Sequence, residues 1–217
     1  VSGLGAIIVR SVAVYTSNYL RVIISDIDRS VWRWTVGGEG QPDVNYYKDI
    51  NPLGSNVYSL DLHNGVMVAA TEAAMYRNTN PWDSTDPYQT FAVTSSEPGS
   101  GEKLNTTMFT DSGGNTVWLV VVEGGGLYKS TDNGATWIQR ITGANLAPTG
   151  STLSGGCWFV HKPGSDKVWL GVLNSTTAEG GGLWYSSNAG TSWTRIWQKV
   201  VGSKIRIFGS IAQSNIN

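Results

Sequence analysis

The stretch GGGLYKSTDNGATW, residues 124–137, decides the fold of this 217-residue chain because a second copy of it follows. The second copy, residues 180–193, reads GGGLWYSSNAGTSW. Aligned without gaps, the copies share Gly, Gly, Gly, Leu, Ser, Gly and Trp at matching positions. Each copy predicts a strand, a tight polar turn with a glycine at positive φ, and a Trp that packs largely buried beneath the turn. An internal repeat of this kind predicts a repetitive architecture.

The turn follows the pattern S-x-D-x-G-x-x-W and resembles the Asp-box, also called the BNR repeat. The motif positions are Ser130, Asp132, Gly134 and Trp137 in the first copy, and Ser186, Asn188, Gly190 and Trp193 in the second. Asn188 keeps the turn-capping oxygen of Asp and loses its charge, so we expect the second turn to survive. Asp-boxes occur in β-propellers such as sialidases, sortilin-type receptors and xyloglucan-active endoglucanases. The resemblance therefore implies a propeller in which these residues are structural and lie away from any active site.

The β-rich runs of the chain fall into four units, which we expect to be four-stranded antiparallel propeller blades. The predicted blades are residues 5–50, 56–95, 104–142 and 153–198, and residues 204–213 resemble the first strand of a fifth. One aromatic residue marks each third strand, namely Trp32, Tyr76, Tyr128 and Trp184, at spacings of 44, 52 and 56 residues. These spacings fit blades of about 40 to 50 residues with their loops. The sequence thus predicts an all-β chain, with residues 1–217 as one propeller domain or a fragment of one.

Four blades and one strand leave open how the ends of the predicted arc are covered. Exposed apolar blade faces are rare in soluble proteins. We therefore expect further blades or other subunits to cover them, and a closed four-bladed ring with strand exchange is the alternative.

The amino-acid composition limits the kinds of molecule that the protein is expected to bind. Charged residues make up 14% of the chain and the formal net charge is −1, which gives no electrostatic basis for binding nucleic acid or an anionic membrane. No run approaches the roughly 20 apolar residues of a membrane span. The 27 Gly, 10 Trp and 9 Tyr are typical of secreted or particle-surface proteins that meet sugars. We therefore expect an extracellular, secreted or virion-surface protein whose partner is a glycan or another protein.

One segment outside the repeats suggests catalysis. Residues 22–34, VIISDIDRSVWRW, resemble the first blade of the xyloglucan-active glycoside hydrolases, where a strand ends in a T-D-I-G-G-x-Y-R-W type segment. The resemblance implies that Asp26 is a catalytic carboxylate and aligns Trp32, Arg33 and Trp34 with the aromatic-Arg-Trp end. Here one residue is inserted, and Asp28, Arg29 and Ser30 replace the paired glycines.

The partner of Asp26 is the difficulty for a hydrolase. Glycosidic cleavage usually needs two carboxyl groups about 5 to 9.5 Å apart, and in that family the second comes from a second propeller. The other candidate acids, Asp28, Asp61, Glu72 and Glu123, show no pattern that pairs one with Asp26. The structural alternative is that Asp26 and Asp28 cap a turn.

The remaining signals predict structure. His63 and His161 share no metal-ligand spacing, so we expect no metal and no cofactor. The single Cys157 lies in the apolar run CWFV, which favours a buried, inert thiol. Asn64-Gly65 between two β-rich runs predicts a hairpin turn.

Three functions compete. The favoured one is a non-catalytic propeller module for glycan or protein binding and assembly, in which Trp32 and Trp34 are candidate carbohydrate-stacking residues. The alternative is a glycoside hydrolase, a xyloglucanase-like endo-β-glucanase or a fragment of one, with Asp26 as a catalytic residue. A sortilin-like receptor is third, because a single cysteine excludes an intrachain disulfide. A sialidase is weaker still, because no Arg-Ile-Pro segment occurs.

Overall fold

The computed structural model describes residues 56–79, 96–146, 157–162, 164–172 and 182–197 in full, and the strand backbones at 9–16, 20–26, 31–36, 45–49 and 92–93. The chain forms two compact units, Val1–Thr94 and Ser95–Asn217. The strands that the structure describes form two sheets in each unit.

The first unit holds two four-stranded antiparallel sheets whose strands follow one another in chain order. The first sheet comprises β1 (Val9–Thr16), β2 (Leu20–Asp26), β3 (Val31–Val36) and β4 (Asn45–Asp49). The second comprises β5 (Val57–His63), β6 (Val66–Thr71), β7 (Met75–Asn78) and β8 (Ala92–Val93). Strand β1 lies against β5. Asn64 and Gly65 connect β5 to β6 with φ of 49° and 77°, so the predicted hairpin is confirmed and its turn has the positive angles of type I′.

The second unit repeats this plan. The third sheet comprises β9 (Lys103–Thr110), β10 (Thr116–Val122), β11 (Gly126–Ser130) and β12 (Ile138–Thr142). One helical turn, α1 (Gly143–Leu146), follows it. The fourth sheet comprises β13 (Cys157–His161), β14 (Val168–Val172), β15 (Gly182–Ser186) and β16 (Thr194–Trp197). Strand β9 lies against β13.

The core of the second unit lies between the third and fourth sheets. Alternate residues of β10, among them Leu119 and Val121, pack in one cluster with Leu170 and Val172 of β14, because side chains two apart share a face of a strand. Intervening β10 residues such as Trp118 are also buried. Strand β10 is therefore buried on both of its faces, as its nearly continuous apolar run TVWLVVV requires.

The all-β prediction is confirmed. The marker aromatics Trp32, Tyr76, Tyr128 and Trp184 lie in β3, β7, β11 and β15, which are the third strands of the four sheets. The four sheets occupy the four predicted segments, with β9 starting one residue early. The blade count and the single domain over 1–217 stay predictions, and residues 204–213 lie outside the described residues.

Candidate functional site

The first repeat turn, residues 130–137, is closed by its own polar side chains. Ser130 Oγ donates to Asp132 Oδ1 at 2.8 Å and accepts from the Gly134 amide at 2.9 Å. The Asp132 carboxylate also accepts from the Thr136 amide at 2.9 Å and from the Thr136 hydroxyl. Gly134 has the predicted positive φ, 81°, which a side chain resists. The Thr136 hydrogen bonds, with that of Ser130, lower the pKa of Asp132 to about 2, so the carboxylate is ionised and engaged in the turn.

The second repeat turn, residues 186–193, builds the same network with an amide. Ser186 Oγ donates to Asn188 Oδ1 at 3.0 Å and accepts from the Gly190 amide at 2.9 Å. Asn188 Oδ1 accepts from the Ser192 amide, and Asn188 Nδ2 donates to Ser192 Oγ, both at 2.9 Å. In the first turn the Thr136 hydroxyl donates to the Asp132 carboxylate, whereas in the second turn the Ser192 hydroxyl accepts from the Asn188 amide. The replacement of Asp by Asn therefore reverses the direction of this one hydrogen bond, and the turn keeps its shape. Gly190 has the predicted positive φ, 77°.

Both motif tryptophans are of intermediate burial, so most of each side chain is covered and neither is fully exposed. Trp137 packs against Trp118 with ring centroids 6.3 Å apart, and its Nε1 donates to the Ser96 carbonyl at 3.1 Å. Trp193 packs against the core cluster of the second unit, and its Nε1 donates to the Gly190 carbonyl at 3.0 Å. The Trp137 indole therefore links the first turn to a segment outside it, and the Trp193 indole forms a hydrogen bond within the second turn.

The second repeat turn also docks on the third sheet. Lys129 Nζ, on β11, donates to Thr191 Oγ1 at 2.9 Å. Ala189 is buried in the shared core. A Cβ added at Gly190 would lie 2.7 Å from the Leu119 Cδ2, so a side chain at this position would force Leu119 to shift. Burial lowers the pKa of Lys129 below its ordinary value, and the nearby Arg140 adds to this.

A second clamp joins the two sheets at their hairpins. The Ser112 amide and hydroxyl donate to the Asp166 carboxylate at 2.8 and 2.7 Å. The Asp166 carbonyl accepts from the Ala189 amide at 2.8 Å. The Ser112 hydrogen bonds lower the pKa of Asp166. Asp166 therefore links the third sheet to the second repeat turn.

The fourth sheet carries a half-buried apolar surface on the face opposite this interface. Pairing registers place two rows of residues on that face, one through Trp158, Gly171, Leu183 and Trp197 and one through Val160, Trp169, Tyr185 and Thr194. We call the six apolar side chains, Trp158, Val160, Trp169, Leu183, Tyr185 and Trp197, the aromatic face. All six are partly buried. Trp169 and Tyr185 contact each other with ring centroids 5.4 Å apart, and none of the strand residues on this face is charged.

The residues predicted to bind or cleave sugar lie in the first sheet. Asp26 is the last residue of β2 and pairs with Val9. Trp32 and Trp34 lie on β3, opposite Ile24 and Val22 of β2. Their side chains, and the whole of Asp28, lie outside the described residues, so their catalytic and carbohydrate-binding roles stay predictions.

Two of the other candidate acids take part in local structure. Asp61 Oδ1 accepts from the Leu62 amide at 2.8 Å, and Glu72 Oε2 accepts from Asn56 Nδ2 at 2.8 Å. Glu123 lies in the turn between β10 and β11. Within the fully described ranges, no group of three or more His, Cys, Asp or Glu side chains is placed to hold a metal ion.

The histidines and the cysteine are placed as structural residues. His161 stacks on Phe109 with ring centroids 5.1 Å apart. Burial lowers the pKa of His63, and the nearby Asp61 opposes this. Cys157 is buried as predicted, and burial raises the pKa of its thiol well above the ordinary range. No helix in the described part of the chain has the length and apolar character to cross a membrane.

Sequence reasoning missed the aromatic face and the two inter-sheet contacts of Lys129 and Asp166. The period-two alternation of CWFVH, VWLGV and GLWYS could have grouped Trp158, Trp169 and Tyr185. The Lys129–Thr191 and Ser112–Asp166 hydrogen bonds join residues 62 and 54 positions apart, and no local pattern indicates them.

No protein-family model matches the chain, and no curated protein matches it in sequence. Among solved structures, a prolyl endopeptidase is 12% identical with a TM-score of 0.49 over 86% of this chain, which spans only 26% of the endopeptidase. An α-L-arabinofuranosidase from Podospora anserina, in complex with cellotriose, is 14% identical with a TM-score of 0.49, over 94% of this chain and 70% of the enzyme. A protein of unknown function from Dyadobacter fermentans DSM 18053 is 14% identical with a TM-score of 0.43, over 87% and 67%. At these values the likenesses carry no argument about function.

Proposed function

We propose that this chain is a β-propeller module of the Asp-box type that acts by binding and assembly, not by catalysis, at an extracellular or virion surface. The repeated four-stranded sheets support the propeller, since the first strands of neighbouring sheets lie against each other in both units. The closed networks of the two repeat turns support the Asp-box assignment. The low charge supports the location.

The aromatic face of the fourth sheet carries the binding proposal. Its outer half, on the strands away from β13, consists of Trp169, Leu183, Tyr185 and Trp197, all partly exposed. Tyr and Trp present a large apolar area with a polar tip, which suits surfaces that alternate between water and a partner. Flat aromatic rings can stack on sugar rings, and they are also the residues enriched in protein interfaces. A glycan or a protein partner therefore fits this outer half.

Affinity electrophoresis in gels that contain xyloglucan or mixed-linkage β-glucan tests the glycan form of the proposal. We expect the chain to be retarded, and Tyr185→Ala and Trp197→Ala to reduce the retardation severalfold. The matched control is Ile138→Ala, which removes an apolar side chain 54% exposed on the third sheet and should change nothing.

The same gels distinguish the two candidate sites. If Trp32→Ala or Trp34→Ala removes the retardation and the β15 and β16 variants do not, the sugar site lies on β3. If no polysaccharide retards the chain, the partner is a protein. In that case sedimentation velocity should show self-association that Tyr185→Ala weakens, and a monomer unaffected by any of these changes would refute the proposal.

The non-catalytic part has its own test. The purified chain is incubated with both glucans, with Asp26→Ala as the control, and released oligosaccharides are measured. We expect no release from either protein, because a single carboxyl group does not supply both the acid and the base or nucleophile of glycoside hydrolysis. Release that disappears in Asp26→Ala would overturn this proposal in favour of the xyloglucanase-like hydrolase.

A further inference from the structure

We propose that Lys129 on β11, Arg140 on β12 and Thr191 in the second repeat turn form a binding site for a tetrahedral oxyanion, a sulfate or phosphate group that is either free or carried by a glycan. The site lies where the third sheet meets the second repeat turn, and it is separate from the aromatic face. Two observations within the described part of the chain point to it: a buried lysine without a counter-ion and a buried guanidinium nitrogen without an acceptor.

Two buried lysines of the second unit differ in how their charge is compensated. Lys103 is 3% exposed, and its Nζ lies 3.3 Å from Glu97 Oε2 in an ion pair. Lys129 is 7% exposed, and its Nζ donates to the uncharged Thr191 hydroxyl at 2.9 Å, with no ion pair to any described residue. A buried charge is costly unless it is paired. Binding of an external anion would therefore supply what Glu97 supplies to Lys103.

Two carboxylates act on Lys129 without pairing with it. Burial and the charge of Arg140 lower the pKa of Lys129, and the opposing charges of Asp111 and Asp166 do not outweigh them. Backbone amides of the loop 112–115 donate to both carboxylates, at 2.8 to 2.9 Å. Since these hydrogen bonds hold both carboxylates in the loop, the ammonium has no carboxylate of its own.

Arg140 brings a second cation to the same place through a β-bulge. The pairing of β11 with β12 skips Arg140, which is therefore the extra residue of the bulge. Ile138, two positions before it, pairs with Lys129. Diagonal neighbours of this kind lie about 7 to 8 Å apart, within reach of long side chains. Because bulges re-aim side chains beside functional sites, the two cations form a plausible pair of anion ligands.

The Arg140 guanidinium has an unmade hydrogen bond. Its Nε is shielded from solvent and has no hydrogen-bond partner among the described residues. Arg195 on β16, by contrast, stacks over the Trp184 ring and donates to the Asn145 carbonyl at 2.8 Å. A buried donor without an acceptor lowers stability, so an oxygen of a bound ligand at the Arg140 Nε would be favoured.

The arrangement of the donors selects the class of ligand. Thr191 is exposed, and because its oxygen accepts from Lys129 its hydroxyl proton is available to a ligand. Lys129 and Arg140 have further N–H donors. The three side chains come from two strands and a turn, so they suit an oxyanion whose oxygens point in several directions. A planar carboxylate is better matched by a single bidentate arginine.

Side-chain NMR of the full chain tests the site. The Arg140 Nε–H signal, identified as the one that Arg140→Gln removes, is followed while sodium sulfate replaces sodium chloride at constant ionic strength, which keeps the screening of surface charges equal. We expect this signal to shift saturably, because a bound oxyanion accepts from Nε. The Arg195 Nε–H signal should stay unchanged, and sodium acetate should give a much weaker response than sulfate.

Substitutions measure what the other two donors contribute. Lys129→Met and Thr191→Val should each weaken sulfate binding about tenfold, since a hydrogen bond that involves a charged group contributes on that order. The matched control is Lys162→Met, which removes an exposed positive charge from the hairpin between β13 and β14 and should leave the affinity unchanged. The indole N–H signal of Trp118, which is buried, reports that each variant is folded.

Three results would overturn the proposal: an Arg140 signal that does not respond to sulfate in the folded chain, an equal loss of affinity in Lys162→Met and Lys129→Met, or acetate binding as tight as sulfate binding. A sulfated oligosaccharide then identifies the source of the anion. Saturation at a lower concentration than with inorganic sulfate supports a site for a glycan-borne sulfate, and saturation at the same concentration supports a site for the free ion. Neither readout uses the aromatic face, so a failure here is distinct from a failure of the binding proposed above.

Discussion

The third and fourth sheets share one topology, yet their corresponding faces differ in burial. Leu119 and Lys129 are 0% and 7% exposed because the fourth sheet covers them. Their counterparts by strand pairing, Trp169 and Tyr185, are only partly buried. The covered face carries aliphatic side chains and a lysine that reaches the neighbouring turn, whereas the half-open face carries larger rings and a phenol. The shared motif positions therefore determine the form of the sheet, and the residues between them determine what the sheet contacts.

The two repeat turns differ in the same sense. Both close the same hydrogen-bond network, but the second is also wedged against Leu119 and bonded to Lys129. In the first turn, Ser96 supplies the outside contacts by donating to the Ala135 carbonyl and accepting from Trp137. The same motif therefore makes contacts with a nearby loop in the third sheet, whereas in the fourth sheet it packs against the neighbouring sheet.

The largest expected effect contrasts the two faces directly. Leu119→Ala should lower the free energy of unfolding by about 3 to 4 kcal/mol, because it leaves a cavity between sheets. Trp169→Ala should cost less, about 1 to 2 kcal/mol, because its ring is partly exposed and its removal leaves a site open to solvent in place of a closed cavity. Urea unfolding of both variants measures the difference, and equal costs would show that the fourth sheet is as fully covered as the third.

A glycine substitution separates the wedge from the turn. Gly190→Ala should cost about 2 to 3 kcal/mol, from the strain of a positive φ together with the clash against Leu119. The control, Gly124→Ala, has a φ of 67° with nothing within 4 Å of the added Cβ, and should cost about 1 kcal/mol. If the two variants unfold at the same urea concentration, the second turn is not wedged against the third sheet.

The Lys129–Thr191 hydrogen bond should contribute less. Thr191→Val should cost about 1 to 2 kcal/mol, because the buried ammonium loses its acceptor. The pKa of Lys129 is lower in the folded than in the unfolded chain, so the unfolded chain binds more protons just below the ordinary lysine pKa. Stability should therefore rise with pH through that window. Lys129→Met should abolish this component of the rise, and an unchanged pH profile would contradict the role of this amine.

The smallest effects concern the carboxylate of the first turn. Asp132→Asn and Asn188→Asp should each change stability by only about 0.5 kcal/mol at neutral pH, because each turn accepts either side chain and the sites are exposed. The lowered Asp132 pKa, about 2, gives a stabilisation present above the unfolded pKa near 4 and lost as pH falls toward 2. Acid titration of stability should show this loss in the wild type and less of it in Asp132→Asn. A large loss at pH 7 would assign the carboxylate a further role.

Much of the fold could be predicted from local pattern. Backbone geometry within a few residues determines three of the predicted features: the alternation along the strands, the Asn64-Gly65 turn and the positive φ of the two repeat-turn glycines. A sequence displays such local patterns directly. The partial burial of Trp137 and Trp193 and the contacts of Asp166 depend on which distant strands meet. The aromatic face is an intermediate case. The alternation of its residues is a local pattern that the sequence displays, but the solvent exposure of its side chains depends on what packs beside the sheet.

Hydroxyl-radical footprinting of the intact chain, read residue by residue, tests the central claim that the outer half of the aromatic face binds a partner. The account predicts that Trp118, 1% exposed, is protected, and that Tyr185 and Trp197 react. It predicts in addition that a retarding polysaccharide, or self-association at high concentration, protects Tyr185 and Trp197 and leaves the exposed Ile138 unchanged. The account would be contradicted if Tyr185 and Trp197 were as protected from oxidation as Trp118 in the free monomer. It would also be contradicted if the oxidation of Tyr185 and Trp197 did not change when the partner is bound.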